Sequence, residues 1–298
     1  MAITTAQIAP LLEPGINALF GMEYAKHKPQ WSQVFDTFSS SRAWEEDQSM
    51  PGFGLAAQQS EGQGVTYDSF QTAWKAYYRM IKYALAFSIT EDAIDDNLYG
   101  SLMTKGAAAL AFSMSETKEV IAAAIFNNAF SVATGGDGKE LCATDHPMTG
   151  GGTFSNELAT PADLSETSLE DLQNQMDLAT TDRGLNIALM SEKLIIPPAL
   201  RFTARRILGS PGRPGTGDND INVHKDEMDI VVMTRLTDPD AWFIKTNCPD
   251  GLKHFSRKKL RTKMEGEFET GNVRYKAVER YAFGATDPRT LFGSVGAA

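Results

Sequence analysis

Residues 77–128 read YYRMIKYALAFSITEDAIDDNLYGSLMTKGAAALAFSMSETKEVIAAAIFNN, and inside them the hydrophobic period changes from two to nearly four. From Tyr77 the odd positions are Tyr77, Arg79, Ile81, Tyr83, Leu85, Phe87 and Ile89, almost all large. The even positions, Tyr78, Met80, Lys82, Ala84, Ala86 and Ser88, are smaller and more polar. A period of two with one heavy face is a strand. Beyond Ile89, Ile94, Leu98, Leu102, Leu110 and Met114 fall at multiples of four, and Val120, Ile121, Ala124 and Ile125 resume the stripe. That is the apolar face of a helix. Ser88 and Glu91 have capping-box spacing, and Thr90 followed by Glu91 and Asp92 offers an alternative cap with acids at the positive end. Ala107–Ala109 and Ala122–Ala124 add strong helix formers. Unbroken from about Thr90 to Asn128, the helix would span roughly 55–60 Å at 1.5 Å per residue, with Gly106 as the place to bend. It is far longer than an average globular helix.

Upstream, Val65–Ile89 is rich in aromatic and β-branched residues, whereas Thr37–Gly64 shifts to Ser, Gln, Glu and Gly with turn signals at Pro51-Gly52 and Gly54. Together they predict a long loop running into a two-stranded ribbon. Such a ribbon is marginal alone and must lie on a neighbour. The first 36 residues, with Pro10, Pro14, Gly15 and Pro29, read as an arm with one short helix around Ile16–Tyr24. Downstream, glycine loops at 135–138 and 149–153 precede a helix capped by Ser168 or Thr167, with Leu169, Leu172, Met176 and Ala179 on one face and Gly184 as its stop. Leu185–Met190 reads as a buried strand. Pro197-Pro198 opens a helix over Ala199–Leu208, closed by Gly209. Ser210–Asn222 is an exposed loop, Ile230–Thr234 and Trp242–Lys245 are strands, and Phe255–Phe283 alternates again. The class is α+β.

With 28 basic and 38 acidic residues in 298, the net charge is −10 and the pI is near 5.0. That argues against gripping nucleic acid, since phosphate contacts need surplus Lys and Arg, though not against surrounding it. A chain of this length is near the practical limit of one core, so two subdomains are expected. No run approaches the roughly 20 apolar residues of a membrane helix. The opening MAITTAQIAPLLEP has no basic region followed by an apolar stretch, so no signal peptide is expected. Two cysteines, Cys142 and Cys248, suit a reducing compartment such as the cytoplasm.

Candidate chemistry is sparse. Cys142-x3-His146 with Cys248-x5-His254 offers four soft ligands, the number a structural zinc needs, but neither pair has the usual C-x2-C spacing. Nothing around Cys142 marks an activated thiol for a Cys/His nucleophile pair. Gly209–Gly217 lacks the Gly-Lys-Ser/Thr ending of a phosphate loop and holds two prolines without N–H groups; Gly150–Gly152 is equally unsupported. Acids cluster at Glu91, Asp92, Asp95 and Asp96, where a helix start favours them, and at Asp218, Asp220, Asp226, Glu227 and Asp229, beside a loop. The basic run Lys253, Arg257, Lys258, Lys259, Arg261 and Lys263 is followed at once by Glu265, Glu267 and Glu269. Adjacent blocks of opposite sign suit pairing between subunits at least as well as DNA contact. No residue is assigned a catalytic, cofactor-binding or metal role, and no cofactor is expected.

The order of elements resembles the major capsid proteins of tailed bacteriophages, with the Hong Kong 97-like fold, and the sequence is most similar to the Mu-type major head subunits. The resemblance rests on Leu141-Cys142-Ala143-Thr144-Asp145-His146-Pro147, Asn156, Leu164-Ser165, Leu169 and Asp182-x-Gly184. It continues through Leu194-Ile195-Ile196-Pro197-Pro198-x-Leu200, Ala204-Arg205-Arg206-Ile207-Leu208, Leu236-x-Asp238-Pro239-x-Ala241-Trp242 and Asp287-Pro288-Arg289. It implies a structural shell subunit and no enzyme. By analogy, 1–36 would be an N-terminal arm and 37–89 an extended loop. Residues 90–158, with the spine helix, and 251–298 would form the peripheral domain, and 159–250 the axial domain. The implied partners are copies of itself in pentamers and hexamers, a separate scaffolding protein and a portal. The shell would enclose double-stranded DNA without sequence-specific binding, be assembled in the host cytoplasm, and involve no membrane. An encapsulin-type nanocompartment shares the fold, and a Cys/His metal-dependent enzyme is the more distant alternative.

Overall fold

The computed structural model describes residues 5–69, 72–96, 99–133, 135–213, 221–267 and 269–297. Helix α1, Thr5–Lys26, is followed by a 3-10 turn at Trp31–Gln33, then strands β1, Asp36–Ser39, and β2, Trp44–Gln48. Strands β3, Lys75–Arg79, and β4, Ile81–Ile89, lead into α2, Glu91–Asp95, and the long α3, Tyr99–Asn127. A short hairpin, β5 (His146–Pro147) and β6 (Thr153–Phe154), precedes α4, Glu166–Asp177. Then come β7, Ser191–Ile196, α5, Arg201–Gly209, β8, Asp229–Val232, and β9, Trp242–Thr246. The chain ends with β10, Leu252–Gly266, β11, Val273–Ala285, and β12, Leu291–Ser294.

Two four-stranded sheets organise these elements. In the first, ordered β1-β10-β11-β4, the long antiparallel pair β10–β11 is flanked by β4 and, in parallel, by β1. In the second, ordered β12-β9-β7-β8, β7 and β8 are parallel across α5. The second sheet is buried on both faces. Leu194, Ile196, Trp242, Ile244 and Phe292 pack with α4 and α5, while Ile195, Val231, Phe243 and Leu291 pack against Ala122 and Phe126 of α3. A strand covered on both sides carries a continuous apolar run, which is what Leu194-Ile195-Ile196 is. The first turns of α3 instead pack on the first sheet, through Met103, Ala107, Leu110 and Met114 against Tyr275 and Ala277. Helix α3 thus joins the two cores. Gly106 permits the approach: a Cβ there would lie 2.9 Å from the Phe87 ring.

Several expectations are corrected. The short helix at 16–24 is a 22-residue helix that runs through Pro10 and Pro14. Ile16, Leu19, Phe20 and Tyr24 form an apolar face against α3 and the first sheet, and this packing outweighs the local cost of proline. The long helix does not run unbroken from Thr90. It breaks at Asp96, just past the end of α2 at Asp95, and α3 begins at Tyr99. Thr90 is the cap of α2, accepting from the Ala93 N–H at 3.4 Å. The long ribbon divides at Met80: β3 pairs with β2, and β4 enters the first sheet. Helix α4 is capped by Ser165, whose hydroxyl accepts from the Ser168 N–H at 3.1 Å while Ser168 Oγ accepts from the Ser165 N–H at 2.9 Å. Ser168 is therefore the third helical residue, and α4 ends at Asp177, ahead of Gly184. Residues 185–190 are irregular apart from a single bridge between Thr180 and Asn186, because Asn186 Oδ1 accepts from the Ala188 N–H and Ala188 takes φ 50°; the strand starts at Ser191.

Candidate assembly surfaces

The loop between β2 and β3 is held at its base and open at its tip. The β2–β3 ladder runs from Trp44↔Arg79 to Gln48↔Lys75 and is extended by Ser49–Trp74 and Ala73–Ser49 hydrogen bonds of 3.0 Å. Asp47 accepts from Lys253 and, at 2.7 Å, from Thr286 Oγ1, while Lys253 also donates to Asp250 at 2.7 Å. Burial alone would raise the Asp47 carboxyl; these donors outweigh it and hold it below the usual carboxylate range. Tyr78 hydrogen-bonds Thr286 at 2.6 Å, and its ring lies where a Cβ on Gly284 would stand, 2.8 Å away. Beyond this base, Asp68 accepts from the Gly54 N–H at 2.9 Å and from Arg183 at 2.5 Å. Phe53, Leu55, Val65 and Tyr67 all point outward, Leu55 at 87% exposure and Tyr67 at 93%.

Near the other end of α3 a buried polar knot joins distant segments. Asn156, fully buried, donates to the carbonyls of Leu141 (2.7 Å), Pro288 and Leu291 (both 2.9 Å), and its Oδ1 accepts from the Ala143 N–H at 2.8 Å. His146 lies between that amide oxygen, 3.1 Å from Nε2, and Asp137, 2.6 Å from Nδ1. Burial would raise Asp137, but His146 and the Lys139 N–H carry it below the usual range. The hairpin that presents His146 closes through Gly151 and Gly152, at φ 92° and 89°, a conformation glycine adopts without strain.

A second polar cluster sits midway along α3. Lys118 pairs with Glu279 of β11 at 2.6 Å, both nearly buried, and its ammonium lies 4.8 Å from the Trp31 and Tyr281 ring centres. Glu119 accepts from the N–H groups of Gln30 (2.6 Å) and Trp31 (3.2 Å), and burial raises its carboxyl despite them. Glu116 pairs with Arg235, Nε to Oε1 at 2.7 Å. A cleft of about 800 Å³ between the end of α1, β1 and β10 opens beside Lys118 and His254.

The predicted ligands do not converge. Cys142 is buried under an N–H bond to Ala129, His146 is committed to Asp137 and Asn156, and Cys248 is half-buried against Pro249. Burial pushes both thiols up, away from a nucleophilic thiolate. His254 packs in tilted contact with Trp31 (4.4 Å) and Phe283 (4.6 Å), with neither ring nitrogen hydrogen-bonded. Among the described residues no group of three or more His, Cys, Asp and Glu is placed to hold a metal. Asp218, Asp220 and residues 214–217 of the glycine-rich loop lie outside the described residues, as does the Asp95 side chain. Glu91 and Asp92 occupy the first turn of α2, Asp226 and Glu227 pair with Lys225 and His224, and Asp229 starts β8. Lys253 is spent on the loop base. Sequence reading flagged His146 and Asn156 without a role and missed Asp137, Asp47 and the Lys118–Glu279 pair.

A family model described as phage capsid protein matches residues 75–293, most of the chain. The chain belongs to the phage capsid protein family. No curated protein matches it. Among solved structures it is similar to a virus-like particle from Pyrococcus furiosus, at TM-score 0.54 and 12% identity over 94% of this chain and 97% of that one. It is also similar to the capsid of an empty GTA particle (0.58, 12%, 90% of each) and to the bacteriophage JBD30 capsid (0.54, 15%, 71% of this chain and 92% of that one). These likenesses show the Hong Kong 97-like capsid fold, α+β as expected. The chain is a capsid shell protein of the tailed-phage type, a structural subunit that oligomerises with itself.

His254 gives this capsid subunit a pH signature. Burial pushes its pKa down to about 3, and Lys118 adds repulsion. The folded state keeps it neutral while the unfolded chain takes up a proton below about 6.5, so stability falls as pH drops from 6.5 toward 3. Between pH 7 and pH 5 the loss from this group is about 2 kcal/mol. His254→Phe keeps the ring stacking and leaves no polar atom orphaned. Its urea midpoint should drop less than that of the wild type between those pH values; parallel drops would refute the assignment.

Proposed function

We propose that this subunit builds a closed icosahedral shell around a double-stranded phage genome. The observation that carries the reading is the loop beyond β2, anchored by Asp47, Tyr78 and Arg183 yet exposing Leu55, Val65 and Tyr67. Apolar side chains held out on a fixed base mark a contact surface, which in this reading another copy covers. In this reading 1–36 is the arm, 37–89 the extended loop, 90–158 with 251–298 the peripheral domain, and 159–250 the axial domain of pentamers and hexamers. Many modest interfaces engaged together hold the shell. A separate scaffolding protein and a portal take part, DNA is confined without sequence-specific binding, and assembly occurs in the host cytoplasm. Among the described residues no helix is long and apolar enough to cross a membrane.

Electron microscopy of the expressed chain should show particles tens of nanometres across. Replacing residues 51–72 with Asn-Gly joins the paired ends at Met50 and Ala73, so the subunit should still fold with a native circular dichroism spectrum. It should form no stable particles. Normal shells from this variant would refute the loop's role, and enclosed protein cargo in place of nuclease-protected DNA would mark a nanocompartment.

A further inference from the structure

One face of the first sheet packs on α1 and α3 through Met264, Tyr275 and Ala277; on the opposite face β3 covers Ala282 and Gly284, while Lys258, Arg261, Lys263, Arg274 and Lys276 stand exposed. Register sets what stands there. Lys258 lies opposite Arg280, Arg280 opposite Lys82, and Lys263 opposite Lys276. These are like charges directly across from one another, an arrangement that destabilises an isolated sheet. Arg261 extends the same face, and the adjoining β4 side chains, Ala84, Ala86 and Ser88, are small and leave it flat. Lys82, Lys258, Arg261 and Lys276 are exposed and form no ion pair among the described residues; Lys263 has Glu265 at 3.1 Å.

The sheet's end has the opposite sign. Gly266, Val273 and Ile89 finish the three strands side by side, and Glu265, Glu267, Glu269, Glu91, Asp92 and Asp96 cluster around them. Glu267 is taken by Arg274, while Glu91, Asp92, Asp96 and Glu269 are exposed and without an ion pair among the described residues. One sheet therefore carries a basic face and an acidic end, each only partly compensated among the described residues.

We infer that the acidic end of this sheet in one copy docks on the basic face of the sheet in another. The inference rests on the shell reading and specifies one of its contacts. A head-to-tail contact that every copy both gives and receives is heterologous, the kind that closes rings and shells. It relieves the like-charge pairs on one side and the uncompensated carboxylates on the other. A phosphate backbone would meet the acidic end as well as the basic face, so a second copy is the better complement.

The test uses the full chain in nuclease-treated solution at physiological salt, with particle yield read by sedimentation and electron microscopy. The triple reversal Lys258→Glu, Arg261→Glu, Lys276→Glu should lower yield at least about tenfold, as like-charge juxtaposition across an interface does. Glu91→Lys, Asp92→Lys, Glu269→Lys should do the same. All positions are exposed, so circular dichroism should report native subunits. The chain carrying all six reversals should regain particles. If either triple variant assembles like the wild type, or the sixfold variant does not recover, the contact is refuted. If the basic reversals change only DNA retention in otherwise normal shells, the face serves nucleic acid and the inference falls. A wild-type chain that forms no particles overturns the shell reading itself.

Discussion

Asn156→Ala should destabilise the subunit by about 4 kcal/mol, because each buried group left without a partner costs about 1–3 kcal/mol. The carbonyls of Leu141, Pro288 and Leu291 and the Ala143 N–H all bond to this one amide, and of these Pro288 also accepts from the Leu291 N–H. His146 Nε2 loses its neighbour as well. Alanine leaves a void too enclosed to bring in water for all of them. The effect reaches across the chain, since the amide ties 141–143 to the turn that feeds β12 at the edge of the second sheet. Asn156→Asp separates the roles: it keeps the acceptor for Ala143 but removes both donors and sets a carboxylate against three carbonyl oxygens. It should be at least as damaging as alanine. Urea unfolding measures both, with a melting temperature lower by about 10 °C as the thermal counterpart. A loss under 1 kcal/mol for Asn156→Ala would show that the knot is incidental.

What the sequence shows and hides follows from how local the determining contacts are. The change of period after Ile89 is local, and so are the β10–β11 alternation and the apolar runs of the second sheet. Those elements are found where residues 77–128 and 255–283 predict them, and the order of elements supports the capsid resemblance. The full length of α1 is not legible, because Pro10 and Pro14 speak against a helix and the argument for it lies in α3, about 100 residues away. The division of the ribbon at Met80 is likewise set by two partners, β2 and β11, that recruit β3 and β4 separately. Of the polar knot, His146 and Asn156 stand out by residue type, whereas Asp137 sits in a glycine loop that reads only as a helix stop. Lys118 and Glu279 are 161 residues apart on elements that each look amphipathic and exposed. No spacing rule joins them; only the close packing of α3 on β11 does.

That pair is where the second large effect is expected. Lys118 and Glu279 are each less than a tenth exposed, and Glu279 Oε2 has no hydrogen-bond partner. The ammonium is held by one carboxylate oxygen and two ring faces, Trp31 and Tyr281. Glu279→Gln removes the only full negative charge in contact with it among the described residues, and Lys118→Met strands the carboxylate instead. Either single change should cost about 3–5 kcal/mol, the usual penalty for a buried charge left unpaired. The double variant Lys118→Met, Glu279→Leu leaves no buried charge. It should recover to within about 1 kcal/mol of the wild type, because well-packed apolar side chains commonly match or exceed a buried pair. Urea unfolding compares the four proteins, and singles that each lose under 1 kcal/mol would show that water reaches the pair. The recovered double variant has a further use. The pair fixes α3 against β11 beside the turn at Trp31, so a variant that is stable yet assembles poorly would mean that the charges hold the long helix in register for assembly, a specificity its stability alone does not require.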